Sequence, residues 1–159
     1  MNDNQVANAI VKNAKIYKAN LENKNILFIF QSRENKEIGS IETFFEPKQF
    51  LHLTGVLINR KNVRSAIDFY ELAISEKLNP SHFQQENKRL VEDKLNAFNQ
   101  TMFIHKTAKE IGNFNNNSAN LYTDKISGNT TACLGFIVND GVYIPNTNLY
   151  SNVRTFISQ

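Results

Sequence analysis

The sequence predicts an α+β domain, with helices and a hairpin in the N-terminal two-thirds and a mostly antiparallel sheet at the C-terminal end. Three observations lead there. Apolar residues recur at helical spacing in three stretches between Asn4 and Met102. Two short apolar runs, "ILFIFQ" and "IGSIETFF", flank the polar turn "SRENKE". Beyond Ile111 the helical period gives way to alternation and then to a continuous apolar run. The 159 residues suit a single domain, 1–159, large enough for a real core.

Taken in order, Val6, Ala9, Ile10, Ala14, Tyr17 and Leu21 share one face, which predicts a helix over 4–22. Strands follow at 26–31 and 38–45, paired as a hairpin. Glu46-Pro47 opens a short helical segment, because proline suits a first helical position where its missing N–H costs nothing. Gly55 ends that segment, and "VLIN" is extended. A helix over 62–78 is predicted with Asn62 as its cap, stopped by Asn79-Pro80. Another begins within "PSHFQQENK" and covers 85–100, with Val91, Leu95, Phe98 and Met102 inward. "GNFNNNSAN" reads as loop, 121–127 and 132–138 as strands, and Asn139-Asp140-Gly141 as a tight turn.

Composition excludes several classes. No apolar run approaches the ~20 residues of a membrane span, and the N-terminus lacks the pattern of a secretory signal. A single cysteine, Cys133, allows no internal disulfide and no cysteine-based zinc cluster, and fits a reducing cytoplasm. Glycine-rich phosphate loops and the HxxxH and HExxH patterns are absent, so neither a cofactor nor a metal is expected. Cys133 lies in an apolar strand and is expected to be a small buried hydrophobe. The net charge is +3, and its placement matters. Residues 47–67 hold Lys48, Arg60, Lys61 and Arg64 and no acid, while the rest of the chain is balanced. A local basic patch suits a phosphate-bearing partner.

That patch surrounds "FLHLTGV" at Phe50–Val56. Metal-free cleavage of RNA through a cyclic phosphate needs a base for the 2′-OH, an acid for the leaving 5′-oxygen, and cations or N–H donors for the phosphorane. Histidine titrates near neutrality and serves either proton role. His52, Thr54, Lys125 and Arg154 would cover these functions if the fold brings them together. The competing reading makes His52 a helix-terminal residue that caps a carbonyl.

"FFEPKQFLHLTGV" resembles the F-x-HLTG segment of a phage-associated family in the barnase–EndoU–colicin–RelE-like (BECR) nuclease superfamily. "SAIDFYELAISEKLNPSHF", "LYTDKISGNTTACLGF" and "YIPNTNLYSNVR" are similar to later pieces of it, in matching order over roughly 26–154. The resemblance implies a BECR-like fold and RNA-cleaving activity. It directs attention to His52 and Thr54 of HLTG, Lys125 and Asn129 of DKISGN, and Asn146 and Thr147 of PNT. The expected catalytic set is His52, Thr54, Lys125 and Thr147, and the expected binding set is Lys48, Arg60, Lys61, Arg64, Asn129, Asn146 and Arg154. Chains of this kind continue past "VR" into further strands, whereas this one stops at Gln159. Two functions therefore stay open. One is a metal-independent endoribonuclease, a phage effector or toxin in the cytoplasm of a bacterial host. The other is an inactive member that binds and inhibits a host defence macromolecule, a protein or nucleoprotein complex. Neither involves a membrane.

Overall fold

A computed structural model describes residues 1–115 and 123–157. Helix α1 (Asp3–Asn20) is fixed at its start by a reciprocal cap, in which Asn2 accepts from the Gln5 N–H and the Gln5 side chain accepts from the Asn2 N–H. Strands β1 (Asn25–Gln31) and β2 (Ile38–Phe44) form the expected hairpin, in unbroken register from Asn25↔Phe44 to Gln31↔Ile38. A 3-10 turn at Pro47–Gln49 leads into the short helix α2 (Phe50–Thr54). Strand β3 (Leu57–Ile58), helix α3 (Ala66–Ile74) and strand β4 (Phe83–Gln84) follow, with β3 and β4 paired antiparallel. Helices α4 (Lys88–Thr101) and α5 (Ile104–Thr107) complete the helical part. Strands β5 (Glu110–Asn113), β6 (Lys125–Gly128), β7 (Cys133–Asn139) and β8 (Val142–Leu149) complete the sheet.

The six-stranded sheet runs β1-β2-β8-β7-β6-β5. Every pairing is antiparallel except β2 with β8, which run parallel beside Thr43↔Tyr143. That contact joins the N-terminal hairpin to the C-terminal strands, so the two sequence regions share one sheet. Asp140 and Gly141 both have positive φ, +51° and +81°, the conformation a two-residue hairpin turn requires. A register shift between Gly135 and Phe136 puts Asn146 at a bulge, with Gly135 opposite Thr147 and Phe136 opposite Pro145.

One sheet face carries the main core. Leu134 and Phe136 of β7 point into it, and Phe136 meets Phe45, which is linked through Tyr17 to Phe50, Tyr70 and Phe98 in a network of ring contacts. The other face carries a smaller cluster of Ile126, Cys133 and Val153, against which Phe114, Phe156 and Ile157 pack. Cys133 is fully buried there, and desolvation pushes its thiol up to about 12, so it behaves as the small hydrophobe expected.

Four local expectations differ from the structure. The helix after residue 62 is capped by Ser65, whose hydroxyl accepts from the Asp68 N–H. Asn62 instead donates its amide to the Ser81 carbonyl. That helix also ends earlier, at Ile74, and Glu76 then takes positive φ. "PSHFQQENK" is not helical: Pro80–His82 is a 3-10 turn, Phe83–Gln84 a strand, and the helix waits for its cap at Asn87. Lastly, Gly112 and Asn113, expected to open a loop, belong to strand β5 and are held by pairing with β6. The first part of the strand expected over 121–127, Leu121 and Tyr122, lies outside the described residues, and β6 begins at Lys125.

Candidate functional site

The HLTG segment works as a knot between α2, α4 and β8. Leu53 is fully buried, and its carbonyl accepts from Asn148 Nδ2 at 3.1 Å. The same amide donates to the Lys94 carbonyl at 2.9 Å, and Asn148 Oδ1 accepts from the Thr101 hydroxyl at 2.9 Å. Asn148 is itself fully buried on β8, so one side chain fastens both helices to the sheet. Thr54 closes the short helix. Its hydroxyl donates to the Leu51 carbonyl at 2.6 Å and accepts from the Val56 N–H at 3.3 Å. Gly55 ends it in the left-handed region at φ +80°. A Cβ at Gly55 would also stand 2.8 Å from Lys94 Cδ, so the glycine leaves the passage through which the lysine stem runs.

Lys94 is only 8% exposed, and its ammonium donates to the Asn148 carbonyl at 2.8 Å. Desolvation draws its pKa down to about 8. His52, one residue before the buried Leu53, remains on the surface. Its pKa is lowered from the ordinary histidine value, first by desolvation against the packed helices and then by the Lys94 charge. At neutral pH the imidazole is therefore unprotonated, within electrostatic reach of a cation held out of water. His82, in another turn, has its Nδ1 accepting from the Asn79 N–H at 3.0 Å.

The other expected residues are dispersed. Lys125 is half-buried on β6 and hydrogen-bonds to Asn113 directly opposite. Thr147 is buried on the sheet face away from Asn148, with its methyl against Gly135. Asn146 Oδ1 accepts from the Thr123 hydroxyl at 3.1 Å. Asn129 is a structural tie. Its amide donates to Gln100 Oε1 and the Thr107 carbonyl, and its Oδ1 accepts from the N–H groups of Thr131 and Ala132. Arg154 donates to Glu110 Oε1 at 3.0 Å and shares a small cleft of about 310 Å³ with Asn129. In the basic patch, Lys48 pairs with Glu46 at 3.3 Å and Arg64 lies 3.9 Å from Asp68. Arg60 and Lys61 are exposed and enter no ion pair among the described residues.

Sequence reasoning missed Lys94 and Asn148. Lys94 carried a signal: it falls three residues after Val91 and one before Leu95, on the inward stripe of an otherwise charged helix. A lysine at such a position must bury its stem and find a partner for its charge. Asn148 carried none, because "NTNLY" does not reveal which asparagine faces the helices.

The fold is α+β, an N-terminal helix followed by a mostly antiparallel six-stranded sheet. Residues 9–154 match the family model described as phage-Barnase-EndoU-ColicinE5/D-RelE like nuclease4, and the chain belongs to that family. No curated protein and no solved structure matches it. Among the described residues no helix is long and apolar enough to cross a membrane.

Proposed function

We propose that the protein is a metal-independent endoribonuclease in which His52 takes the proton of a ribose 2′-OH and Lys94 stabilises the negative charge that develops on the phosphate. The observation that carries this reading is the His52–Lys94 pair. Burial lowers both pKa values, and the Lys94 charge lowers that of His52 further, leaving His52 in its basic form while Lys94 keeps its charge at pH 7. A cation in a poorly solvated setting acts more strongly on a nearby phosphorane than one in water. Arg60 and Lys61 add long-range attraction for the RNA backbone. The attacking 2′-oxygen forms a bond to phosphorus as the bond to the 5′-oxygen breaks, and the leaving 5′-oxygen takes a proton from water, leaving a 2′,3′-cyclic phosphate and a 5′-hydroxyl.

The test is cleavage of a labelled RNA in the presence of EDTA, beside the same strand with one 2′-deoxyribose at the scissile position. Wild type is expected to cut only the first and to leave a cyclic phosphate. His52→Ala is expected to lose about 10²-fold in rate with an unchanged fold. Cleavage that ignores either the 2′-OH or His52 would refute the proposal. A second reading, a binding protein on a nuclease scaffold, is favoured by the way Thr54 and Asn129 spend their polar atoms inside the fold. It predicts no cyclic phosphate from any RNA offered.

A further inference from the structure

A cleft of about 920 Å³ opens between the two outer strands of the six-stranded sheet, with β1 on one side and β5 on the other. Arg33, in the turn of the first hairpin, reaches across to form an ion pair with Glu110. That ion pair spans the mouth of the cleft from the hairpin turn to β5. A cleft of about 920 Å³ lined by both strands has room for an extended peptide segment.

Both edges suit a strand. The β1 segment Asn25–Gln31 has no charged residue, no proline and no bulge, so it lacks the usual devices that keep a sheet edge from pairing. Just past the end of β5 the chain already pairs with the C-terminal backbone, where Phe114 forms an isolated antiparallel bridge with Ile157 and the Asn115 N–H donates to the Phe156 carbonyl at 2.7 Å. From Asn113 back to Glu110 no further strand lies beside β5 among the described residues. The cleft is lined by apolar side chains of Phe28, Phe30 and Ile111. Phe30 lies across Gly39, where a Cβ would come within 2.6 Å of the ring.

Charge decides against nucleic acid as the occupant. Arg33, Lys109 and Arg154 line the cleft with Glu34 and Glu110, three cations against two carboxylates, and both arginines are bound to Glu110. Such a rim offers little to a run of phosphates, where each neutralised contact matters. Unpaired main-chain edges instead recognise another main chain. Lys109 is exposed and enters no ion pair among the described residues. We propose that this cleft receives an extended segment of a partner protein as an added strand between β1 and β5, with apolar side chains on Phe28, Phe30 and Ile111 and a carboxylate on Lys109. Such a strand would bridge the two edges of the sheet.

The experiment uses the full chain and a synthetic peptide of about eight residues that alternates valine and threonine and carries one central glutamate. Saturable binding is expected, with amide exchange in residues 25–31 and 110–113 slowed by at least about tenfold. N-methylation of alternate peptide amides should abolish binding, because it removes the ladder and keeps the side chains. Lys109→Glu should weaken the glutamate peptide and be rescued by a lysine peptide. Four results would each overturn the proposal: no protection at millimolar peptide, equal binding of the N-methylated peptide, protection of both segments already in the free chain, or protection of the same segments by hexauridylate. None of these readouts involves RNA cleavage, so the outcome is independent of the nuclease assay.

Discussion

Replacing Lys94 by methionine separates stability from function at the site. Methionine keeps most of the stem that runs past Gly55 and removes the charge. Burial draws the lysine from an ordinary 10.5 to about 8. At about 1.4 kcal/mol for each tenfold change in proton affinity, holding that charge in the fold costs roughly 3 kcal/mol at pH 7. Methionine also deprives the Asn148 carbonyl of its ammonium donor, a loss of about 1–2 kcal/mol. The variant is therefore expected to be about 1–2 kcal/mol more stable than wild type at pH 7, with a melting temperature higher by about 2–8 °C. The sign of the pH dependence follows from the direction of the shift. Because the folded lysine has the lower pKa, the unfolded chain holds more protons between about pH 8 and 10.5, and wild type gains stability as pH rises through that window. The advantage of Lys94→Met is full below pH 8 and shrinks above it. Urea melts of both proteins at pH 7 and pH 10 measure this, and RNA cleavage by the variant is expected to fall by about 10²-fold. A variant less stable than wild type at pH 7, or an advantage that does not change with pH, would refute the reasoning and make Lys94 a net structural contributor.

The rate of RNA cleavage by wild type should follow a bell in pH. It rises as His52 deprotonates, below the ordinary histidine range, and falls as Lys94 loses its charge near pH 8; a flat profile between pH 5 and 9 would contradict the pairing. Gly55→Ala is expected to cost about 1–3 kcal/mol in a denaturant melt, since alanine resists positive φ and its methyl meets the Lys94 stem. Removing Arg60 and Lys61 together should lower the slope of log binding constant against log salt by about 1.4 for single-stranded RNA, and titrations at several salt concentrations would show whether it does.

The sequence by itself determined those parts of the protein that depend on neighbours along the chain. The stripe from Val6 to Leu21 specified α1, the polar turn between two apolar runs specified the first hairpin, and Asp140-Gly141 specified the last, because each is governed by local periodicity or backbone sterics. His52 was legible as a candidate because a histidine among buried residues at a glycine turn is unusual. Tertiary structure decided what depends on distant partners. Ser65 rather than Asn62 caps α3, since Asn62 finds a carbonyl at Ser81, nineteen residues away. Glu110–Asn113 has weak strand character of its own and becomes strand through pairing with β6. The state of His52 was set in the same way. A lysine some forty residues further on, 8% exposed and tied to a strand carbonyl, acts electrostatically on the imidazole, and only packing of α4 on α2 and β8 brings it within reach.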